Sequence, residues 1–232
     1  YTRMLGDDRF TKDLASHMRL FVSGSAPLLA ETHVQFEHRT GHRILERYGM
    51  TETNMNTSNP YDGERRAGTV GFPLPEVELK ITDPETGEAL PDGDVGQIEV
   101  RGLNVFKGYW QMPEKTAAEL REDGFFITGD LGKFDEDGYV HIVGRNKDLI
   151  ISGGYNIYPK EIELVLDDQP GVLESAVIGV PHPDFGETVV GLVVAEKGQS
   201  PDLEALMDAV HHSLARFKHP RRLVVLDELP RN

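Results

Sequence analysis

The chain has 232 residues, 38% of them hydrophobic and 27% charged, enough for one large domain or two smaller ones with separate cores. Its 39 acids against 24 bases leave a formal charge of -15 without a basic cluster, which argues against nucleic acid or an anionic membrane surface as partner. Cysteine is absent, which excludes disulfides, thiolate metal sites and a cysteine nucleophile; no apolar run approaches the roughly 20 residues that span a bilayer, no signal peptide is visible, and a cytoplasmic setting is expected.

In chain order, the apolar run Met18 to Ser23, the small-residue loop Gly24-Ser25-Ala26-Pro27 and a helical stretch from Leu28 to about Arg39, ended by Gly41, read as strand, tight loop and helix. A second strand from His42 to Arg47 runs into the loop Tyr48-Gly49-Met50-Thr51-Glu52-Thr53 and completes a βαβ unit. Ligands of open α/β sheets sit at the carboxyl ends of strands, so these two loops are expected side by side. Beyond Asn59, the alternating runs Val77 to Ile81 and Gln97 to Val100, with hairpin turns at PETGE and DEDG, predict an antiparallel β region. Helices are expected from Pro159 to Asp168, burying Ile162, Val165 and Leu166, and after Ser200-Pro201-Asp202, burying Leu203, Leu206, Val210 and Leu214. Strand candidates SAVIGV, TVVGLVVAE and RLVVLDEL complete a small α+β domain.

The fold class expected is therefore α/β plus an antiparallel β region, followed by a small α+β C-terminal domain. The expected division is 1–146, with a βαβ part over 1–60 and a barrel-like β part over 61–146, then 147–232. Tyr1 is not an initiator methionine, and the chain stops at Pro230-Arg231-Asn232 directly after a strand-like run; it is expected to be a piece of a longer protein.

The stretch Gly144 to Glu163 packs Arg145, Lys147-Asp148, adjacent Gly153-Gly154 and a helix-starting Pro159 into twenty residues. The glycines permit backbone conformations that a Cβ would forbid, and proline suits a first helical turn, so this segment is expected to be a loop shaped for a ligand or a moving neighbour.

YGMTET at 48–53, FITGD at 126–130, and GRNKD with SGGYNIYP over 144–159, together with the SGSAP loop, resemble the adenylate-forming enzymes: acyl-CoA synthetases, peptide-synthetase adenylation domains and luciferases. The resemblance runs from about Met18 to Asn232. The SGGYNIYP form is similar to acyl-CoA synthetases, and RLFVSGSAPL with ERYGMTETNMNTSNPYDGERRAGTVG to malonyl-CoA synthetases.

The resemblance implies an ATP-dependent acid:CoA ligase, an incomplete copy of the adenylate-forming fold that uses ATP, Mg2+, CoA and a small carboxylic acid. Malonate or methylmalonate is the expected acid, with short-chain, fatty or aryl acids as the alternative. A non-catalytic nucleotide-binding fragment and a peptide-synthetase domain are readings of other classes. Glu52 would meet Mg2+, a hard cation that takes carboxylate oxygen, with Thr51 at the α-phosphate. Ser25, Ala26, Pro27, Glu46, Arg47, Tyr48, Gly49 and Met50 would surround ATP or AMP. Tyr48 stacking on adenine would be worth about 1 to 3 kcal/mol by analogy with single-stranded nucleic acid complexes.

Asp130 would accept both ribose hydroxyls, with Arg145 and Ile142 beside the nucleotide. Lys147 would be the hinge of a mobile C-terminal domain, and Ser152, Gly153 and Tyr155 would line the CoA thiol's path. Ser23 and Met50 would border the acyl pocket, where a second carboxylate needs a cation; Arg19, Arg39, Arg43 and Arg47 are the candidates in this chain. Each residue also has a plain structural reading: Glu52 a surface acid, Tyr48 a core tyrosine, Asp130 a turn cap, Arg145 and Lys147 solvated loop residues, Ile142 a strand-core residue. Pro230-Arg231-Asn232 resembles the start of the motif that ends in the family's catalytic lysine. These 232 residues alone are therefore expected to be a poor adenylating catalyst; robust ATP–pyrophosphate exchange by them would refute that.

Overall fold

A computed structural model describes residues 1–24 and 28–230; the expected nucleotide-loop residues Ser25, Ala26 and Pro27, and Arg231-Asn232, lie outside them. The chain divides into two compact units, Tyr1–Ile142 and Val143–Asn232.

In the first unit, two short helices, α1 (Thr2–Leu5) and α2 (Lys12–Ala15), precede strand β1 (Val22–Ser23) and helix α3 (Ala30–Thr40). α3 stops at Gly41, whose φ of 76° is a left-handed cap that glycine adopts without steric cost. Phe21, Phe36, Ile44 and Ala15 form the core beneath these elements. Strand β2 (Leu45–Met50) pairs parallel with β1, Val22 opposite Leu45, so the expected βαβ unit is present.

The YGMTET segment differs from the expected loop. β2 continues through Tyr48, Gly49 and Met50, turns over Thr51–Thr53, and returns as antiparallel β3 (Asn54–Ser58), followed by β4 (Phe72–Pro73) at the sheet edge. The turn lacks the Asn-Gly or Asp-Gly pair that announces a hairpin. It is made instead by Asn54 at φ 51°, a conformation asparagine tolerates better than most, and by a bulge between Tyr48 and Gly49. A Cβ on Gly49 would overlap the carbonyl oxygen of Asn54. Because backbone cannot rotate aside, Gly49→Ala is expected to destabilise the chain by about 3 kcal/mol, read as a lowered urea midpoint.

Strands β5 (Val77–Thr82), β6 (Gly96–Gly102), β7 (Phe126–Phe134) and β8 (Val140–Arg145) form a four-stranded sheet in that order. Ile81, Ile98 and Val100 are its core, and helix α4 (Pro113–Glu119) lies in the β6–β7 connection. The PETGE and DEDG turns fall where expected, with main-chain bonds from Gly87 to Asp83 and from Gly138 to Asp135.

Burial pushes the Asp135 carboxyl up, but hydrogen bonds from His141 and the amides of Tyr139 and Asp137 outweigh it and lower its pKa to about 2. Its folded value is thus below its unfolded one. Its stabilisation is complete above the ordinary carboxylate pKa near 4 and disappears as pH falls toward 2. Asp135→Asn should flatten stability against pH in that acid window, as measured by thermal melts.

In the second unit, a 3₁₀ turn (Asn146–Asp148) leads into β9 (Ile150–Ser152), β10 (Tyr155–Ile157), helix α5 (Pro159–Asp167), β11 (Val172–His182), β12 (Gly186–Ala195), helix α6 (Leu203–Ser213) and β13 (Arg222–Leu226). β12 is central, antiparallel to β11 and parallel to β13. α5 and α6 bury Ile162, Leu166, Leu206 and Val210 against Val177, Val189 and Val193 of the sheet. These are the apolar positions that the helical spacing singles out. Asp202 caps α6 by accepting from the Glu204 and Ala205 amides.

The SGGYNIYP stretch is not an open loop. Ser152 pairs with Tyr155 across a two-residue hairpin turn, and Gly153 and Gly154 have φ of 58° and 82°. A type I′ turn requires positive φ at both central positions, so the turn itself accounts for both glycines.

Candidate active site

The β2–β3 turn places Glu52 at the carboxyl end of β2, and a distant segment braces it. The Phe106 amide donates to the Glu52 carbonyl at 2.7 Å. Asn104 Nδ2 lies 2.7 Å from the Thr53 carbonyl and 3.1 Å from Asn56 Oδ1, while Asn54 Nδ2 donates to the Asn104 carbonyl at 3.1 Å. The Glu52 carboxylate, half-buried, meets the Tyr109 hydroxyl at 3.1 Å, and the same hydroxyl donates to Glu119 Oε2 at 2.6 Å. Burial, then the Glu119 and Glu52 carboxylates, holds the Tyr109 phenol well above its ordinary pKa, so it remains a protonated donor. Thr51 is exposed on the turn, and Met50 is half-buried before it.

Tyr48 joins two of the sequence motifs directly: its hydroxyl donates to Asp130 Oδ2 at 2.6 Å, across 82 positions of sequence. Asp130 is only 6% exposed and sits in β7, its carbonyl accepting from Gln97 Nε2 at 3.0 Å. The Tyr48 ring and Ile142 both pack against the Ile81–Ile98–Val100 core. Tyr48 thus has the apolar support of a core residue and a polar tip on the Asp130 carboxylate.

Ser23 pairs with Glu46 at the end of β1. The Glu46 carboxylate is turned into the interior, 2.9 Å from His33 Nδ1, and is 6% exposed; that side chain is committed to packing between β2 and α3. Among the four candidate arginines, Arg43 is paired with Glu37 at 2.7 Å, Arg39 donates to the Leu5 carbonyl at 2.8 Å, and Arg19 lies over the Tyr61 ring at 6.0 Å. Arg47 is exposed on β2, its side chain alongside Gly24.

The remaining predicted residues belong to the second unit. Arg145 is exposed at the end of β8, and Lys147 is exposed in the 3₁₀ turn. The Ser152 hydroxyl donates to the Glu187 carbonyl at 2.7 Å, which ties the β9 end to β12. The Gly153 amide donates to the Phe185 carbonyl at 2.9 Å, and Tyr155 stacks on Phe217 with centroids 4.7 Å apart. Sequence reasoning missed the aromatic neighbours Phe185 and Phe217, and in the first unit it missed Tyr109, Glu119 and Asn104. Only Tyr109 carried a sequence signal, the Gly-Tyr-Trp step just before a proline-started helix.

Among the described residues no group of three or more His, Cys, Asp and Glu is arranged to hold a metal. A half-buried carboxylate such as Glu52 fits Mg2+, which commonly takes one or two carboxylates and completes its shell with water and substrate phosphates.

The first unit matches the AMP-binding enzyme family over residues 2–110, and residues 161–232 match the AMP-binding enzyme C-terminal domain. The chain belongs to this family of adenylate-forming enzymes. It is 43% identical over 251 residues to a malonate–CoA ligase of Arabidopsis thaliana, covering all of this chain and 41% of that protein. It is 42% identical over 220 residues to a long-chain-fatty-acid–CoA ligase of Bacillus subtilis, covering 94% and 39%. ATP-bound MatB from Rhodopseudomonas palustris superposes with a TM-score of 0.96 at 63% identity, covering all of this chain and 46% of that one. The chain thus spans about two fifths of the length of these curated relatives. No helix among the described residues is long and apolar enough to cross a membrane.

Proposed function

We propose that the protein carrying this chain is an AMP-forming acid:CoA ligase. A carboxylate oxygen attacks the α-phosphorus of ATP and pyrophosphate leaves; the CoA thiol then attacks the acyl carbon, losing its proton, and AMP leaves. The observation that carries this reading is the Tyr48–Asp130 bond at 2.6 Å, which gathers an aromatic face and a ribose-type carboxylate beside the Glu52 turn. Asp130 accepts the ribose hydroxyls, Tyr48 and Ile142 support the base, and Thr51 and the β2 main chain from Glu46 to Met50 flank the phosphates. Mg2+ held through Glu52 supplies charge neutralisation on the phosphates. Arg145 serves the nucleotide, Lys147 the swivel, and Ser152, Gly153 and Tyr155 the thiol path. Ser152 serves by shaping that path, since its hydroxyl is already bonded to main chain.

Malonate is the proposed acid, in the cytoplasmic setting expected from composition. The malonate–CoA ligase relative supports it, and so does an exposed Arg47 on the strand that carries the site, available to a second carboxylate. The fatty-acid relative supports the alternative, a monocarboxylate. Hydroxylamine trapping of the adenylate on the whole protein, with malonate, methylmalonate, acetate, butyrate and benzoate, decides between them. Malonate is expected to give the highest kcat/KM; preference for butyrate or benzoate would overturn the dicarboxylate reading, and no hydroxamate with any acid would overturn the ligase.

A further inference from the structure

Two residues beside Glu52 have no role in that account. Tyr109 lies between β6 and α4, and Glu119 is the last residue of α4. A carboxylate at the carboxyl end of a helix opposes the partial negative charge there, so Glu119 stands against local preference. The Tyr109 ring is already packed edge-on against Phe106 at 4.8 Å and beneath Lys115 Nζ at 4.1 Å, and neither contact needs its hydroxyl. Yet that hydroxyl lies 2.6 Å from Glu119 Oε2 and 3.1 Å from Glu52 Oε1. A phenol has a single proton to donate. Glu119, at the shorter distance, takes the larger share of it, and the longer contact orients Glu52 without neutralising it.

The geometry points to Tyr109 and Glu119 as a positioning pair that fixes the Glu52 carboxylate while leaving its charge for Mg2+·ATP. The assignment rests on the proposed role of Glu52 and adds two residues that none of the sequence motifs contains. Partners of this kind, one step removed from a metal, typically change affinity about 10- to 100-fold when lost.

The test uses Mn2+·ATP as probe, titrated against the whole protein by electron paramagnetic resonance, with metal-free ATP binding and thermal midpoint measured alongside. Tyr109→Phe and Glu119→Leu should each weaken Mn2+·ATP roughly 10-fold, leave metal-free ATP binding and the thermal midpoint unchanged, and raise the half-saturating Mg2+ for adenylate formation. Glu119→Gln, whose amide oxygen still accepts from the phenol, should fall between these and the unaltered protein. The pairing is overturned if both variants bind Mn2+·ATP normally while Glu52→Gln loses it. It is equally overturned if metal-free ATP weakens in step, because the loss is then structural. If Glu52→Gln itself binds Mn2+·ATP normally, the role of Glu52 fails first.

Discussion

Glu52→Gln is expected to lower adenylate formation roughly 10²- to 10³-fold, the range seen when one preorganised electrostatic contact to a developing charge is removed. The substitution is nearly isosteric, and the turn survives it, because Phe106 bonds the Glu52 main chain and Asn104 bonds that of Thr53. The loss should therefore appear as a raised Mg2+ requirement and a lowered kcat, with an unchanged thermal midpoint. Steady-state adenylation assayed across Mg2+ concentrations, beside a melt, measures both. Wild-type kcat at ordinary Mg2+ would remove Glu52 from the chemistry.

Gly153→Leu is expected to separate the two half-reactions. At φ 58° a leucine is strained, and an added Cβ would stand 3.3 Å from Phe185 Cδ1, so its side chain has to displace the aromatic ring or project into the path proposed for the thiol. Thioester formation should fall at least about 10²-fold, the cost that misplacement by an ångström can impose on a reacting group, while adenylation continues. Gly154→Asn separates turn strain from bulk. Gly154 has φ 82° and no atom within 4 Å of an added Cβ, and asparagine tolerates positive φ, so both half-reactions should persist there. Equal loss of both half-reactions in Gly153→Leu would place Gly153 in the hairpin's folding alone.

Much of this was legible from local pattern. The βαβ unit follows from an apolar strand, a small-residue loop and Gly41, and the two helices of the second unit from apolar spacing and the Pro159 and Asp202 starts. What failed to show was long-range. The return of YGMTET as a hairpin depends on a bulge at Gly49 and on braces from Asn104 and Phe106, about fifty positions away. The paired glycines drew attention as a ligand loop, whereas the register Ser152 to Tyr155 makes them first a turn.

The same limit applies to the site. Residue types singled out Tyr48 and Asp130 separately, and only the folded chain brings the hydroxyl to the carboxylate. Glu46 lay within the nucleotide motif, yet the alternation of β2 turns its side chain inward to His33. Glu119 gave no signal on its own, because the helix end that makes its charge unfavourable and the phenol that pairs with it are both set by the fold.

Attack of a carboxylate on the α-phosphorus of ATP can be followed through an oxygen atom. Malonate carrying heavy oxygen in its carboxylates is turned over by the whole protein with ATP, Mg2+ and CoA, and the nucleotide product is weighed by mass spectrometry. The AMP released is expected to have gained a single heavy oxygen from the acid, with pyrophosphate unlabelled. ADP with labelled phosphate, or AMP without the label, would contradict it.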